Sequence, residues 1–477
     1  MNDGSGKKKS IFIMIMIISV ILAGSLTYYY YIQTLSYYTP TVFTSQARVH
    51  EYVTEYQIQP GSYPNAITTD SQGNVWFALQ NTTSLAELTP SNGTVHLFRP
   101  PELKSTGLTT WGIFVDNSKH VVWFTDANTN SIWSFNVASG NSTEYHIQTQ
   151  FAFPYQIAQD GKGNVWFTEL FGNKIGEITT NGALEEYPVP KFGNVSDVEP
   201  SGITIDQESN SIWFTETAVD AVGSYFDGRF NSYNLSGLVQ SPAGIAVDSN
   251  GNLWMTQHGP SFISEFNPTT HYFRTISTSV PSWVPDNTSL PYFIQVDSQG
   301  DVWFNEHYGN AIASFDPSGN SLTEFEVPSR VVQAGNNAGV LTIGLSPNGE
   351  PWFTELFTGK VGTIDTSLPL KVAISVNNGT ASITNNPVII AGNGKVSLHV
   401  MINNESNQTL TLESFLGNYT TGFHAFLTPY VDNKNGAFNS TLMVDDNATR
   451  GGVYYLTVSA ISTNLVVSQV IEIEVTS

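Results

Sequence analysis

Short apolar runs, alternating apolar and polar positions, and Asn/Gly/Asp turns follow one another along most of this chain on a repeating plan. Its most regular mark is a five-residue phrase built on tryptophan: VWFAL at Trp76, VWFTD at Trp123, VWFTE at Trp166, IWFTE at Trp213, LWMTQ at Trp254, VWFNE at Trp303 and PWFTE at Trp352. The spacings are 47, 43, 47, 41, 49 and 49 residues. Runs of β-branched and aromatic residues bounded by turn residues predict strands. A period of forty-odd residues predicts four-stranded blades set round an axis.

Residues 154–190 show one unit in full. PYQIA is a short inner strand and DGKGN a turn that supplies positive φ. VWFTE is the second strand, GNKIGEI the third and LEEYPVP the outermost. The seventh unit stops after VGTID without an outer strand, whereas Val53-Thr54-Glu55-Tyr56 near the start matches Leu322-Thr323-Glu324-Phe325. The segment 53–58 is therefore expected to complete blade seven and close the ring, which removes exposed sheet edges. The propeller then spans about residues 50–367. Residues 370–477 lack the tryptophan phrase and read as about seven short strands between Asn/Gly turns, the pattern of an immunoglobulin-like β-sandwich.

The first residues are different in kind. Lys7-Lys8-Lys9 precede an uncharged run over residues 11–26, followed by four tyrosines, Tyr28 to Tyr31. A stretch of this length, basic on one flank and aromatic on the other, predicts a transmembrane signal anchor over residues 1–36, with a linker at 37–49. A cleaved signal peptide ending at Ala23 is the alternative. Either reading places the bulk of the chain outside the cell. The fold class expected is thus all-β: a seven-bladed β-propeller, then a sandwich, behind an N-terminal transmembrane helix.

Composition narrows the partners. Eighteen basic against 40 acidic residues give a net charge of −22, a surface that repels nucleic acid. There is no cysteine, so disulfides, thiolate metal sites and a lipoprotein anchor are excluded. Twelve Asn-x-Ser/Thr sequons, six of them in the last hundred residues, suit a glycoprotein.

Candidate chemistry gathers at one face of the disc, where inner strands start and second strands end. Three residues past each tryptophan stand Leu79, Asp126, Glu169, Glu216, Gln257, Glu306 and Glu355, and one further stand His258 and His307 on blades five and six. The inner strands open with Asn65, Trp111, Tyr155, Ser201, Ala243, Tyr292 and Leu341. These groups are expected to converge on the mouth of the central channel. Crowded carboxylates there raise one another's pKa or share a cation. Glu169, Glu216, Glu306 and Glu355 are accordingly candidate ligands for Mg²⁺ or Ca²⁺. His258 and His307, which break the repeat, are the candidate catalytic residues, and Asn65, Trp111, Tyr155, Tyr292, Asp126 and Gln257 the candidate binding residues. A carboxylate repeated in most blades is more often a structural acceptor than a catalyst.

The phrases VWFTE, GNKIGEIT and LEEYPVP, with the Pro-x-Gly-Ile inner strands, resemble the virginiamycin B lyase (streptogramin lyase) family over about residues 50–367. The resemblance implies a seven-bladed propeller. For members with activity it also implies carbon–oxygen lyase chemistry, opening the ester ring of a cyclic depsipeptide with Mg²⁺, glutamates at the channel mouth and a histidine in a Pro-His-Gly-Ile phrase. In this chain the matching positions are Asn65, Trp111, Tyr155, Ser201, Ala243, Tyr292 and Leu341, none of them histidine. Three functions are therefore carried forward: binding of a small-molecule, glycan or protein ligand at the mouth, a metal-assisted lyase or lactonase, and a structural role in the cell envelope.

Overall fold

Each tryptophan phrase is the second strand of an antiparallel sheet in the computed structural model. It describes residues 42–476 apart from 101–102, 104–106, 281–287, 333–336, 379–380, 384–385, 392–393, 417–422, 433–434 and 447–450. The inner strands are Pro64–Thr69, Ile113–Asp116, Pro154–Gln159, Pro200–Asp206, Pro242–Val247, Pro291–Val296 and Val340–Leu345. Each ends its own sheet and bonds only to the tryptophan strand beside it. The residue after each tryptophan (Phe77, Phe124, Phe167, Phe214, Met255, Phe304 and Phe353) is fully buried. It faces an isoleucine of the inner strand: Ile67, Ile113, Ile157, Ile203, Ile245, Ile294 or Ile343. Side chains of this size each contribute roughly 1.5–3 kcal/mol on burial, so this sevenfold layer is the principal cohesive element of the ring.

The tryptophan itself is fixed by the turn before it. The indole N–H of Trp76, Trp166, Trp254 and Trp303 donates to Asp70, Asp160, Asp248 and Asp297 at 3.0–3.3 Å. The second oxygen of the same carboxylate caps the turn, as Asp160 does for the amides of Lys162 and Asn164. A single acid therefore ties a turn to the strand that follows it.

The threonine two places past the tryptophan joins one blade to the next. Thr215 Oγ1 accepts from Gly202 N–H of its own inner strand at 2.9 Å and donates to Ala243 O of the next blade at 2.8 Å. Thr125 reaches Tyr155 O, Thr168 reaches Ser201 O, Thr256 reaches Tyr292 O, and Asn305 reaches Leu341 O in the same way. The seam from blade seven to blade one uses Thr342, which donates to Asn65 O. In blade one the equivalent residue is Ala78, which has no hydroxyl to offer. Close approach at the seams also explains two glycines: a Cβ on Gly202 or Gly244 would lie 2.3 or 2.5 Å from the next blade's carbonyl oxygen.

Val53–Gln57 pairs with Lys360–Ile364, so a strand from near the start of the chain is the fourth strand of blade seven. Glu55 and Lys360 bond across this join at 2.7 Å, both buried. Of the stretch read from sequence as a linker, residues 42–49 are described and carry strands: Val42–Thr44 adds to the outer strand of blade one, and Ala47–His50 adds to the closing strand. Alternating side chains on so short a stretch carry no core-facing pattern, which is why these pairings were not readable. The expected membrane helix at residues 1–36 lies outside the described residues. Among those described, no helix is long and apolar enough to cross a membrane.

Residues 372–476 form two sheets. One contains Val372–Asn378, Lys395–Asn404, Gly436–Asp446 and Phe423–Thr428; the other contains Leu410–Leu416, Gly452–Ile461 and Leu465–Thr476, with Val388–Ala391 running parallel to the last. They share a core of Leu398, Val400 and Leu442 against Leu412, Leu456 and Ile473. This unit does not hang from the ring. Leu465–Thr476 pairs with Ser321–Glu326, so blade six and one sheet of the C-terminal unit are a single nine-stranded sheet. Thr457 donates to Ser277 O and Gln469 to Gly319 O, both at 3.0 Å, fixing the contact to blades five and six.

Candidate functional site

The chain enters six of the seven inner strands through a residue with left-handed backbone just before its first position: Tyr63, Phe153, Glu199, Ser241, Leu290 and Gly339, with φ between 49° and 75°. Bulky residues rarely adopt this conformation. Here it turns the chain sharply so that the next two residues lie at the mouth of the channel. Those residues close it. Tyr155, Ala243, Tyr292, Leu341 and Leu356 form one buried apolar cluster, with Tyr63, Trp111, Phe153, Leu170 and Phe357 packed against its outer side. The ring of Trp111 lies 5.4 Å from Tyr155 and 6.2 Å from Tyr292, and the two tyrosine hydroxyls bond to each other. Phe153 packs 5.0 Å from Phe171, which is 49% exposed and extends the aromatic surface outward over blade three.

Both histidines join this floor. His258 lies 4.5 Å from the Tyr292 ring and 6.5 Å from His307, which is 6.3 Å from Tyr292. His307 Nδ1 sits 3.3 Å from Val340 O. Burial, with the His307 imidazole adding to it, pushes His258 down to about 3. Burial also lowers His307, the Val340 carbonyl opposing it. Both rings are therefore neutral at neutral pH. Burial raises Tyr155 well above the usual phenol range and takes Tyr292 up to about 12. Two neutral imidazoles and three aromatic rings thus stand together, with no ionised side chain among them.

The acids and amides expected beside them are elsewhere. In a blade the channel lies in the plane of the sheet, whereas side chains stand perpendicular to it. A residue on the second strand consequently points into the layer between blades, with the inner strand between it and the axis. Asp126 accepts from the amides of Thr109 and Asn128, and Gln257 donates to Ser264 Oγ. Glu216 accepts from Ser232 on the outermost strand of its own blade. Glu169, Glu306 and Glu355 lie beside carboxylates of their own outermost strands, Glu186, Glu324 and Glu55. Asn65, also buried, gives its backbone carbonyl to Thr342, while its side-chain oxygen has no partner. Among the described residues no three His, Asp or Glu side chains are grouped so as to hold one metal ion. The expected convergence is thus found for Trp111, Tyr155, Tyr292, His258 and His307, and not for the carboxylates.

The outer-strand acids were missed as partners, although a signal existed: each precedes an aromatic residue, in Glu186-Tyr187, Glu324-Phe325 and Glu55-Tyr56. Their pairing differs from blade to blade. Opposite Glu169 stands Lys174, and opposite Glu355 stands Lys360, each supplying an ammonium to the pair. Opposite Glu306 stands Ala311. Blade six therefore holds two buried carboxyl groups without a lysine, and Glu306 Oε1 and Glu324 Oε2 have no hydrogen-bond partner. Burial and then the Glu324 charge raise Glu306 far above its usual range, and burial takes Glu324 up to about 7.

The family described as virginiamycin B lyase matches residues 43–275 and 195–382. Among solved structures, a streptogramin B lyase is 26% identical, covering 66% of this chain and 97% of that one, with a TM-score of 0.57. A catalytically inactive virginiamycin B lyase from Staphylococcus aureus with quinupristin is 24% identical, covering 65% and 98%, with a TM-score of 0.56. No curated protein matches.

Proposed function

We propose a function from one premise: the chain belongs to the virginiamycin B lyase family. Within that family it acts as a binding propeller, whose aromatic floor receives a ligand with a flat apolar face at the channel mouth. The observation that carries this reading is the layer of Trp111, Tyr155 and Tyr292, roofed on one side by Phe153 and Phe171 and accompanied by two neutral imidazoles. Aromatic faces reward stacking of a ring or an apolar side chain; His258 offers one donor and one acceptor, and His307, whose Nδ1–H faces Val340 O, offers an acceptor at Nε2. A depsipeptide ring, a glycan ring or a protein loop meets this description.

A lyase reading is favoured by blade six. The divalent cation that the family resemblance implies fits Glu306 and Glu324 in part, because each has a buried oxygen without a partner and no lysine stands between them. These two would hold the ion in the layer between blades, where it would offset their charge and lie apart from a ligand at the mouth. His307, at the mouth and held neutral by burial, is able to accept a proton from a bound ester.

The uncharged run at residues 11–26 supports anchorage in a membrane with the propeller outside, and the C-terminal pair of sheets supports an immunoglobulin-like spacer on the same side. The test is retention of the full chain on quinupristin and on a neutral glycan array, compared with Trp111→Ala and Phe171→Ala. Retention lost in both variants, without turnover of the depsipeptide, is the expected result. Turnover by the unaltered chain that disappears in His307→Ala moves the conclusion to the lyase reading. Retention equal in all variants ends the binding reading.

A further inference from the structure

The aromatic floor closes only one end of the channel. Below it the inner strands of all seven blades enclose a cavity of about 330 Å³, from Trp111 at the floor to Gln159, Gln207 and Gln295 toward the opposite face. Gln207 is exposed, so this end reaches solvent. We propose that this well is a second binding site, separate from the mouth, for a small uncharged polyol of monosaccharide size.

Three observations support the assignment. First, the lining carries no ionised side chain; its polar members are Gln156, Gln159, Gln207, Gln295, Thr204 and Thr342. A chain with a net charge of −22 gives an anion no compensating cation there. Second, two glutamines are oriented by their neighbours. Gln156 Oε1 accepts from Ile203 N–H at 3.1 Å and Gln295 Oε1 from Leu345 N–H at 2.9 Å. With each oxygen committed to the next blade, what remains of each amide is its NH₂ donor. Third, every inner strand is the last of its sheet and turns to the well an edge that no strand covers; apart from the carbonyls bridged by the seam residues and by Gln207, it presents backbone carbonyl acceptors beside those donors. Donors and acceptors interleaved on an uncharged wall select a molecule that both gives and receives hydrogen bonds at every position, which is the property of hydroxyl groups. The volume is at the small end of ligand cavities.

Saturation-transfer NMR on the full chain with glucose, galactose, N-acetylglucosamine and myo-inositol tests the assignment, with sodium acetate as the anionic comparison. Expected is saturable transfer to at least one of the four, weakened about tenfold, the loss of a hydrogen bond or two, in the Gln156→Met/Gln295→Met pair. Gln207→Met, at the exposed entrance and without risk to the core, weakens it as well, and it decides alone if the paired variant does not fold. Phe426→Ala, an exposed side chain of the C-terminal unit, leaves the transfer unchanged. Absence of transfer to all four, equal transfer in the glutamine variants, loss in Phe426→Ala, or preferential uptake of acetate overturns the proposal.

Discussion

Thr215→Val isolates what joins the blades. The substitution keeps the shape of a fully buried side chain, so it creates no cavity, and it removes the hydroxyl that accepts from Gly202 N–H and donates to Ala243 O. Two buried backbone groups then lose a partner, at roughly 1–3 kcal/mol each. Ser201 Oγ, already 3.3 Å from Ala243 O, is placed to take over one of them. At the middle value of about 2 kcal/mol per group, the net loss is about 2 kcal/mol if Ser201 takes over Ala243 O and about 4 kcal/mol if it does not move. Thr215→Ser is the matched comparison, since it keeps the hydroxyl and removes one methyl, a loss of about 1 kcal/mol. For a chain of this length about 1 kcal/mol corresponds to one degree of melting temperature. Calorimetry on the full chain should place Thr215→Val about 2–4 °C below the parent, with Thr215→Ser between them. A serine variant less stable than the valine variant would refute the bridging role, because packing and not hydrogen bonding would then dominate the seam.

Ala78→Thr supplies the missing hydroxyl between blades one and two and should raise the melting temperature by about 1 °C; a lower value means that the site has no room for it. Lys360→Met leaves Glu55 buried without its ammonium and should cost about 3–5 kcal/mol, read as faster hydrogen exchange in residues 53–57. His258 has a folded pKa of about 3, below its unfolded value of 6.5, so the stability it contributes is present above that value and lost as pH falls toward 3. Melting between pH 7 and pH 4 should therefore fall less steeply in His258→Gln than in the parent. Glu169 and Glu355 behave oppositely: both are raised to about 8, chiefly by burial, so their contribution is present below about 4.5 and lost as pH rises through 8. Glu355→Gln should flatten that alkaline decline.

Much of the ring was readable because its repeated residues have repeated jobs. Trp166 is legible as a strand marker since the aspartate six residues before it fixes its indole, and the same spacing recurs at Trp76, Trp254 and Trp303. Glu55-Tyr56 could be placed in blade seven because it echoes Glu324-Phe325, and the observed pairing puts Glu55 opposite Gly362. What the repeat does not encode was not readable. The union of blade six with the C-terminal unit depends on Leu465–Thr476 finding a sheet edge far away in sequence, and an alternating strand carries no address for its partner.

The same distinction separates structural from functional residues at the mouth. A side chain present in most blades answers a need that every blade has: the threonines bridge seams, and Glu169 and Glu355 complete buried pairs with an outer strand and a lysine. These groups point between sheets, where an external ligand has no access. The positions that depart from the repeat are the ones the fold does not require, and they are found together. Trp111, Tyr155 and Tyr292 stand where a small residue serves in blades four and five, as Ser201 and Ala243 do, and His258 and His307 occur only on adjacent blades. Ala311 opposite Glu306, like Ala221 opposite Glu216, leaves its blade without the lysine that blades three and seven place there. In a symmetric ring, asymmetry that persists at one place has to be sustained by something other than folding, and here it is concentrated on blades two, three, five and six around the channel mouth.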